Sequence, residues 1–197
     1  MRRIGVSFVF KALLAVTLGT VLGLWATQAA VNRGFLFGAV ASGPWTAFPA
    51  VGSNLIDPYA RAVIARSAYL PVGADEGLPF YATGDSEGRP LSGACDYILE
   101  SDELSARFWS LGLFDRTGHV IANAADRYAI TSQDVVRMDH RIAIAIAPDL
   151  QPGNWLPSPA RDPFVLAMFL YESSSGTAVA AATDTALPVI RRRACRS

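Results

Sequence analysis

The sequence predicts a mainly β protein: a jelly-roll-like antiparallel β-sandwich with a short N-terminal helix, preceded by one transmembrane helix. One uncharged apolar run near the N-terminus is long enough to cross a bilayer. Beyond residue 70, short apolar runs alternate with clusters of turn-forming residues. About seven or eight such runs at this spacing are typical of a sandwich or jelly roll.

The transmembrane prediction rests on residues 12–31, which are 20 consecutive uncharged residues. At about 1.5 Å per residue, a helix of this length crosses a hydrocarbon core of roughly 30 Å. Arg2, Arg3 and Lys11 precede the run, so the positive-inside rule places the N-terminus in the cytoplasm. We therefore expect a single-pass inner-membrane protein that contacts membrane lipid through this helix and places its domain in the periplasm. The alternative is a signal peptide cleaved near residues 27–29, which would release the domain into the periplasm.

The chain divides into three predicted parts. Residues 1–33 form a cytoplasmic tip and transmembrane helix (or signal peptide), and residues 34–53 form a connecting segment that is rich in Gly, Ala and Pro and carries no charge. Residues 54–197 form the extracytoplasmic β-sandwich domain. Its length of about 140 residues is enough to bury one hydrophobic core.

The distribution of charge limits the possible partners. The first 33 residues hold four cations and no carboxylate, which leaves 13 cations and 17 anions for the remainder. A mildly acidic domain is not expected to bind nucleic acid, because phosphate binding needs a concentrated basic surface. The basic run at residues 191–193, with Arg196, is predicted to be a solvated tail.

The domain begins with a helix signal and continues with strands. Asp57 is predicted to be the N-cap and Pro58 the first residue of a helix over residues 58–69. Residues 141–147 show the clearest alternation, with isoleucines on one face and alanines on the other. The predicted strands cover residues 79–83, 95–99, 108–115, 119–123, 127–131, 141–147 and 163–172.

Two cysteines, Cys95 and Cys195, lie 100 positions apart. On the exported side of a membrane thiols meet an oxidising environment, so a disulfide is the expected pairing. Closing a loop of that size contributes about 4 to 5 kcal/mol in the chain-entropy model. Two buried free thiols are the alternative, and a metal site built from two cysteines without a nearby histidine is less favoured.

Three long stretches resemble a known bacterial envelope family. They are RFWSLGLFDRTGHVIANAADRYAITS (107–132), IAIAIAPDLQPGNWLPSPARDPFVLAMFLYE (142–172) and LPVIRRRAC (187–195), and they resemble the family named domain of unknown function 1214. The family's signature positions are filled here by Trp109, Asp115, Asn123, Arg127, Tyr128, Asp139, Asn154, Trp155, Leu156, Pro157 and Tyr171. The resemblance implies a jelly-roll β-sandwich, an envelope protein of a related family as a candidate partner, and no particular reaction.

Two positions depart from the family pattern. Gly112 stands where the family usually has Thr, and Asp139-His140-Arg141 replaces the usual Asp-Gly-Ser turn. A non-glycine residue in that turn is expected to adopt the left-handed conformation at some energetic cost.

The candidate ligand-binding residues combine aromatic, amide and guanidinium groups. Such groups recognise sugars and other polar ligands by stacking and hydrogen bonding, although the same residues also serve as corners and turns. The candidates are Trp109, Asn123, Arg127, Tyr128, Asn154 and Trp155.

We predict no catalytic residue, metal or cofactor. The chain has only two histidines, His119 and His140, and no G-x-S-x-G motif. We expect a membrane-anchored extracytoplasmic domain that binds a partner protein or a polar ligand in the cell envelope. The alternative is an envelope hydrolase that acts on a glycan or ester, with Asp115, Asp139 and Glu172 as candidate carboxylates. Whether the protein is an enzyme stays open, with a non-enzymatic role favoured.

Overall fold

The computed structural model describes residues 6–32, 38–51, 56–66, 77–104, 106–173 and 186–196. These residues form two helices and ten strands. The helices are α1 (Val6–Asn32) and α2 (Pro58–Arg66). The strands are β1 (Val40–Ser42), β2 (Trp45–Ala47), β3 (Gly77–Ala82), β4 (Cys95–Asp102), β5 (Ala106–Phe114), β6 (Ala129–Thr131), β7 (Arg141–Ala147), β8 (Asn154–Pro157), β9 (Val165–Ser173) and β10 (Val189–Cys195).

Helix α1 is long and apolar enough to cross a membrane. The Thr17 and Thr20 hydroxyls donate hydrogen bonds to the carbonyl oxygens of Leu13 and Val16, each at 2.9 Å. These bonds satisfy two polar side chains within an apolar helix. Between residues 7 and 32 the side chains of α1 are exposed except at residues 29–31, which are half-buried, and α1 contacts α2.

Helix α2 begins where the sequence predicts. The Asp57 carboxylate accepts hydrogen bonds from Tyr59 N at 2.8 Å and from Ala60 N at 3.3 Å, which is the N-cap arrangement. The helix runs to Arg66, and the rest of the predicted helix (67–69) lies outside the described residues.

The strands form two sheets. The larger sheet has the order β1-β2-β3-β9-β5-β6, and the smaller has the order β10-β4-β7-β8. All pairings are antiparallel except β7 with β8, which differs from the antiparallel prediction. Residues 148–153 are long enough for this parallel connection, because the chain only has to return from the level of Ala147 to the level of Ile144, where Asn154 pairs. That return is about 10 Å.

The inner faces of the two sheets share one hydrophobic core. On β7 the three isoleucines point inward and are buried, whereas Ala143 is exposed on the outer face. Trp45 of β2 is completely buried, and its indole Nε1 donates to Pro188 O at 2.7 Å, just before β10. Two strands within the predicted connecting segment therefore belong to the larger sheet, and one of them supplies a core tryptophan.

The mainly β prediction is confirmed, and six predicted strands correspond to β3, β4, β5, β6, β7 and β9. The strand predicted at 119–123 is wrong: this stretch makes only an isolated bridge between Phe114 and Val120. Strands β1, β2, β8 and β10 were not predicted. The jelly-roll connectivity stays a prediction.

The C-terminal arginines are not a solvated tail, as the sequence had suggested, because Val189–Cys195 forms strand β10 against β4. Ile190 is buried beside Leu99. The period-2 pattern is hidden because three consecutive arginines occupy the centre of the strand. The predicted disulfide is confirmed: Cys95 and Cys195 are bonded, directly across from each other on β4 and β10.

Candidate functional site

A polar, open depression lies where the edge strand β6 of the larger sheet approaches the edge strand β8 of the smaller one. It encloses about 510 Å³. We call it the Arg127 depression. Its lining residues are Ala125, Asp126, Arg127, Tyr128, Ala129, Ile130, Asp134, Val136, Gly153 and Asn154.

Asn123 shapes the turn that leads into the depression. Its side-chain Oδ1 accepts hydrogen bonds from Ala125 N and Arg127 N, both at 3.2 Å, and its Nδ2 donates to Arg127 O at 3.0 Å. Asp126 inside this turn has a φ of 49°, a left-handed conformation that Asp tolerates better than most residues. The Asn123 amide therefore fixes the backbone on both sides of Arg127.

The Arg127 side chain is exposed and held by one backbone contact. Its Nη1 donates to Trp155 O at 2.9 Å, which ties the turn to β8. Among the described residues, no carboxylate lies within ion-pair distance of the Arg127 guanidinium. A guanidinium has five N–H donors, and Arg127, which lines the depression, uses one of them in this contact.

Asn154 lines the depression from β8, where Trp155 is its neighbour in the chain. The Asn154 amide accepts from Val136 N at 2.8 Å and donates to Val136 O at 2.7 Å and to Ala143 O at 3.0 Å. Its hydrogen-bonding capacity is thus spent on joining the 132–138 segment to β8. Trp155 is buried, and its Nε1 donates to Ala147 O at 2.9 Å.

The free edge of β6 is only partly capped. Ser132 N donates to Trp109 O, so by antiparallel alternation the backbone groups of Ala129 and Thr131 point away from β5. The Asp134 carboxylate accepts from Thr131 N at 3.3 Å and from Thr131 Oγ1 at 2.6 Å. Ala129, two residues before Thr131, lines the depression, and its backbone N–H and C=O point away from β5 by the same alternation.

Tyr128 is the exposed aromatic residue of the depression, with 43% of its surface accessible. Its hydroxyl donates to the Asp126 carboxylate at 3.0 Å. This hydrogen bond, together with the negative charge of Asp126, raises the pKa of Tyr128. The hydroxyl therefore stays protonated, and the partly exposed ring lines the depression.

Of the six predicted ligand-binding residues, Arg127, Tyr128 and Asn154 line the depression. Asn123 and Trp155 hold Arg127 in place through hydrogen bonds. Trp109 is not part of it, since its side chain is buried in the core on β5. Sequence reasoning did not single out Asp126, Asp134 or Ala129. Asp134 has a local signal, because Thr131 followed three residues later by a carboxylate matches the capping-box pattern.

Of the three candidate carboxylates, Asp115 and Asp139 occupy turns and Glu172 lies in β9. Asp115 accepts hydrogen bonds from Thr117 Oγ1 at 2.6 Å, Thr117 N at 2.8 Å and His119 N at 2.9 Å. The hydrogen bond from the Thr117 hydroxyl is the main reason that the pKa of Asp115 is lowered. Asp139 lies in a two-residue turn with His140, and the side chain of Glu172 lies outside the described residues. Within the described ranges, no three His, Cys, Asp or Glu side chains gather as a metal site requires.

The family resemblance can now be tested directly. Residues 76–175 match the family model described as "Protein of unknown function (DUF1214)", about half of the chain. The chain belongs to the DUF1214 family. All the residues that build the Arg127 depression lie inside this matched DUF1214 region.

Two solved structures are similar to this DUF1214 chain. The VPA0106 protein from Vibrio parahaemolyticus has a TM-score of 0.56 and 20% sequence identity over 68% of this chain and 34% of that one. An uncharacterised protein from Burkholderia cenocepacia has a TM-score of 0.41 and 16% identity over 64% and 32%. The chain thus spans about a third of the length of either structure. No curated protein matches the chain.

Proposed function

We propose that this DUF1214 protein is anchored in the inner membrane by α1 and binds a polar ligand outside the cytoplasm at the Arg127 depression. The single observation that supports binding is the Arg127 guanidinium, which is oriented by Trp155 O and has no ion-pair partner among the described residues. An arginine held in this way is suited to bidentate recognition of a carboxylate or phosphate group.

The surroundings of Arg127 narrow the ligand class. The Tyr128 ring offers a stacking face, and Ala129 offers a backbone donor and acceptor on the same side of β6. The carboxylates of Asp126 and Asp134 are engaged by Tyr128 and Thr131, but their charges disfavour a ligand with several negative charges. We therefore propose a ligand with one anionic group next to hydroxyl or amide groups, such as an acidic sugar or an acidic side chain of a partner protein.

A titration followed by NMR tests this proposal. The full chain in detergent is titrated with glucuronate, N-acetylglutamate and inorganic phosphate, with glucose as the uncharged control, while the Arg127 Nε–Hε and Ala129 amide signals are followed. Shifts with glucuronate alone favour the sugar, and shifts with N-acetylglutamate alone favour a protein side chain. Both anions shifting the signals would indicate that the charge dominates recognition.

A matched pair of variants tests the role of Arg127. Arg127→Gln should abolish the shifts, whereas Arg116→Gln should leave them unchanged, because Arg116 is an exposed arginine in the hairpin turn at residues 115–118. Equal binding by both variants, or the absence of any shift with all three anions, would refute the binding site.

The proposed anchoring has its own test. The intact mass of protein extracted from membranes should equal that of the uncleaved chain less two hydrogens for the disulfide. A mass that begins near Ala30 would show that the apolar helix is a cleaved signal peptide. Labelling of the N-terminus only after permeabilisation of the inner membrane would support its cytoplasmic location.

A further inference from the structure

In the sequence, strands β1 and β2 follow shortly after the end of α1. Residues 12–31 account for the roughly 30 Å of a hydrocarbon core, so Asn32 lies at the membrane surface if α1 spans the bilayer. Val40 of β1 follows eight residues later, a reach of at most about 28 Å. The edge of the larger sheet is therefore held near the bilayer.

Helix α2, which follows the hairpin in the chain, lies against α1. It contacts α1, whose half-buried residues are at its C-terminal end, residues 29–31. The β1–β2 hairpin, residues 38–51, is thus preceded in the chain by α1 and followed by α2, and these two helices contact each other. Tyr59 and Arg61 are exposed on α2, and aromatic and basic residues of this kind are common at the level of lipid headgroups.

The exposed surface of the hairpin is unusual for a sheet edge. Residues 34–56 contain no charged residue, and the exposed positions of the hairpin are Gly38, Ala39, Ala41 and Gly43. Charged side chains are a common protection of water-facing edge strands, and this hairpin has none; its protection is the three-residue length of β1 and Pro44 in the turn. The opposite edge, β6, has such a charge, since Asp134 binds the free backbone N–H of Thr131.

From these relationships we infer that the β1–β2 hairpin and α2 form the membrane-facing surface of the domain and rest on the lipid headgroups. The inference relies on the anchoring by α1 proposed above. In the sheet order, β1 and β6 are opposite edges, separated by five strand spacings or about 24 Å. The Arg127 depression at β6 therefore faces away from the bilayer and takes its ligand from the aqueous compartment, not from lipid headgroups of the same membrane.

Fluorescence quenching in vesicles tests this orientation. The full chain, with its disulfide intact, carries one added cysteine for a fluorophore, either Ala41→Cys on β1 or Ala125→Cys at the depression. Both positions are exposed alanines. In phosphatidylcholine vesicles that contain lipid with a nitroxide on the headgroup, the probe at residue 41 should be quenched several-fold more strongly than the probe at residue 125. No ligand is present, so a failure of the ligand titration would not affect this result.

Every other outcome contradicts the inference. Equal quenching at the two positions, or stronger quenching at residue 125, would place the depression at the membrane. Weak quenching at residue 41, with disulfide-linked dimers of unlabelled Ala41→Cys, would show that a second copy covers the hairpin. Protein that does not float with the vesicles would show that α1 does not anchor the domain, and the intact mass would then reveal whether α1 had been removed.

Discussion

The guanidinium Nε of Arg192 lies 3.2 Å from the carboxylate Oδ2 of Asp85, whose side chain is fully buried. Arg192 also stacks over the Tyr97 ring, with its Cζ 5.5 Å from the ring centroid, and donates to Pro90 O at 2.7 Å. Besides this ion pair, Asp85 accepts hydrogen bonds from Glu87 N and from the backbone N and side-chain Nε of Arg89. This cluster joins the 84–90 turn to β10.

Replacement of Asp85 should destabilise the protein strongly. Asp85→Asn leaves Arg192 partly buried without its counter-charge, and removing one partner of a buried pair typically costs about 3–5 kcal/mol. Chemical denaturation would measure the loss. Asp102→Asn is the matched control, because the Asp102–Arg141 pair is exposed and separated by 3.7 Å, and such pairs contribute about 1 kcal/mol or less. A similar effect of both variants would refute the structural role of the cluster.

The lowered pKa of Asp85 predicts that the stability of the protein depends on pH. Burial raises the pKa of Asp85, but the hydrogen bonds from Arg89 and Glu87 and the charge of Arg89 outweigh it, so the pKa lies below its ordinary value of 3.8. A lowered folded-state pKa means that the stabilisation is present above that ordinary value and is lost as the pH falls through the folded pKa. The difference in unfolding free energy between the wild type and Asp85→Asn should therefore be constant near neutral pH and shrink below about pH 4. A constant difference down to pH 2 would contradict this assignment.

The disulfide predicts a large effect of reduction. Because Cys95 and Cys195 enclose a separation of 100 residues, the chain-entropy model predicts a loss of about 4 to 5 kcal/mol in the double variant Cys95→Ala/Cys195→Ala. Urea denaturation of this variant and of the reduced wild type should agree. Since Cys195 ends β10, we also expect faster hydrogen exchange of the β10 amides than of those in β5. Unchanged stability in both forms would show that the link does not constrain the unfolded chain.

The strands that the sequence predicted have either a clear apolar alternation or a short, nearly continuous apolar run. Strand β7 is the clearest case, because every second residue is an isoleucine that points into the core. Strand β10 was missed because only Ile190 of its seven residues is buried, and its position depends on distant partners, Asp85 and Cys95. Strands β1 and β2 were not predicted because they are short and lie in a segment rich in Gly, Ala and Pro, a composition that indicates a connection.

The residue types at the candidate site were predictable from the sequence, but the contacts that each side chain makes were not. Arg127, Tyr128 and Asn154 were identified as residue types that can bind polar groups, and they do line one depression. The sequence alone does not show which of these side chains bind backbone groups and which are left for a ligand. Asn123 and Asn154, for example, are both candidate ligand-binding amides in the sequence. In the structure both amides are consumed by backbone hydrogen bonds, while the Arg127 guanidinium is left largely open.

Gly93 marks a close approach of two backbone segments. A Cβ atom at this position would lie 2.0 Å from Pro159 O and 2.9 Å from Arg161 N, so one segment would have to move. Gly93→Ala should therefore cost about 3 kcal/mol or more, at the upper end of overpacking effects. Gly88→Ala is the control, because nothing lies within 4 Å of its Cβ and only its φ of 80° adds strain, worth about 1–2 kcal/mol. Thermal denaturation should rank Gly93→Ala as the less stable variant, and the reverse order would refute the close approach.

The turn between Met138 and Arg141 offers a stabilising substitution. Met138 and Arg141 exchange both backbone hydrogen bonds, at 3.0 and 2.9 Å, and the two residues between them, Asp139 and His140, have φ values of 48° and 61°. This geometry is that of a type I′ turn, in which glycine is strongly preferred at the second central position. His140→Gly should therefore raise the unfolding free energy by about 1 kcal/mol.

His140→Ala separates the backbone effect from loss of the imidazole. The imidazole Nδ1 lies 4.0 Å from Glu103 Oε2, and both side chains are exposed, so this contact contributes little. Alanine removes the contact but keeps the Cβ that disfavours a positive φ, and it should give no stabilisation. Equal stabilisation by Gly and Ala in urea denaturation would mean that the imidazole itself, and not the left-handed backbone, carries the cost at this turn.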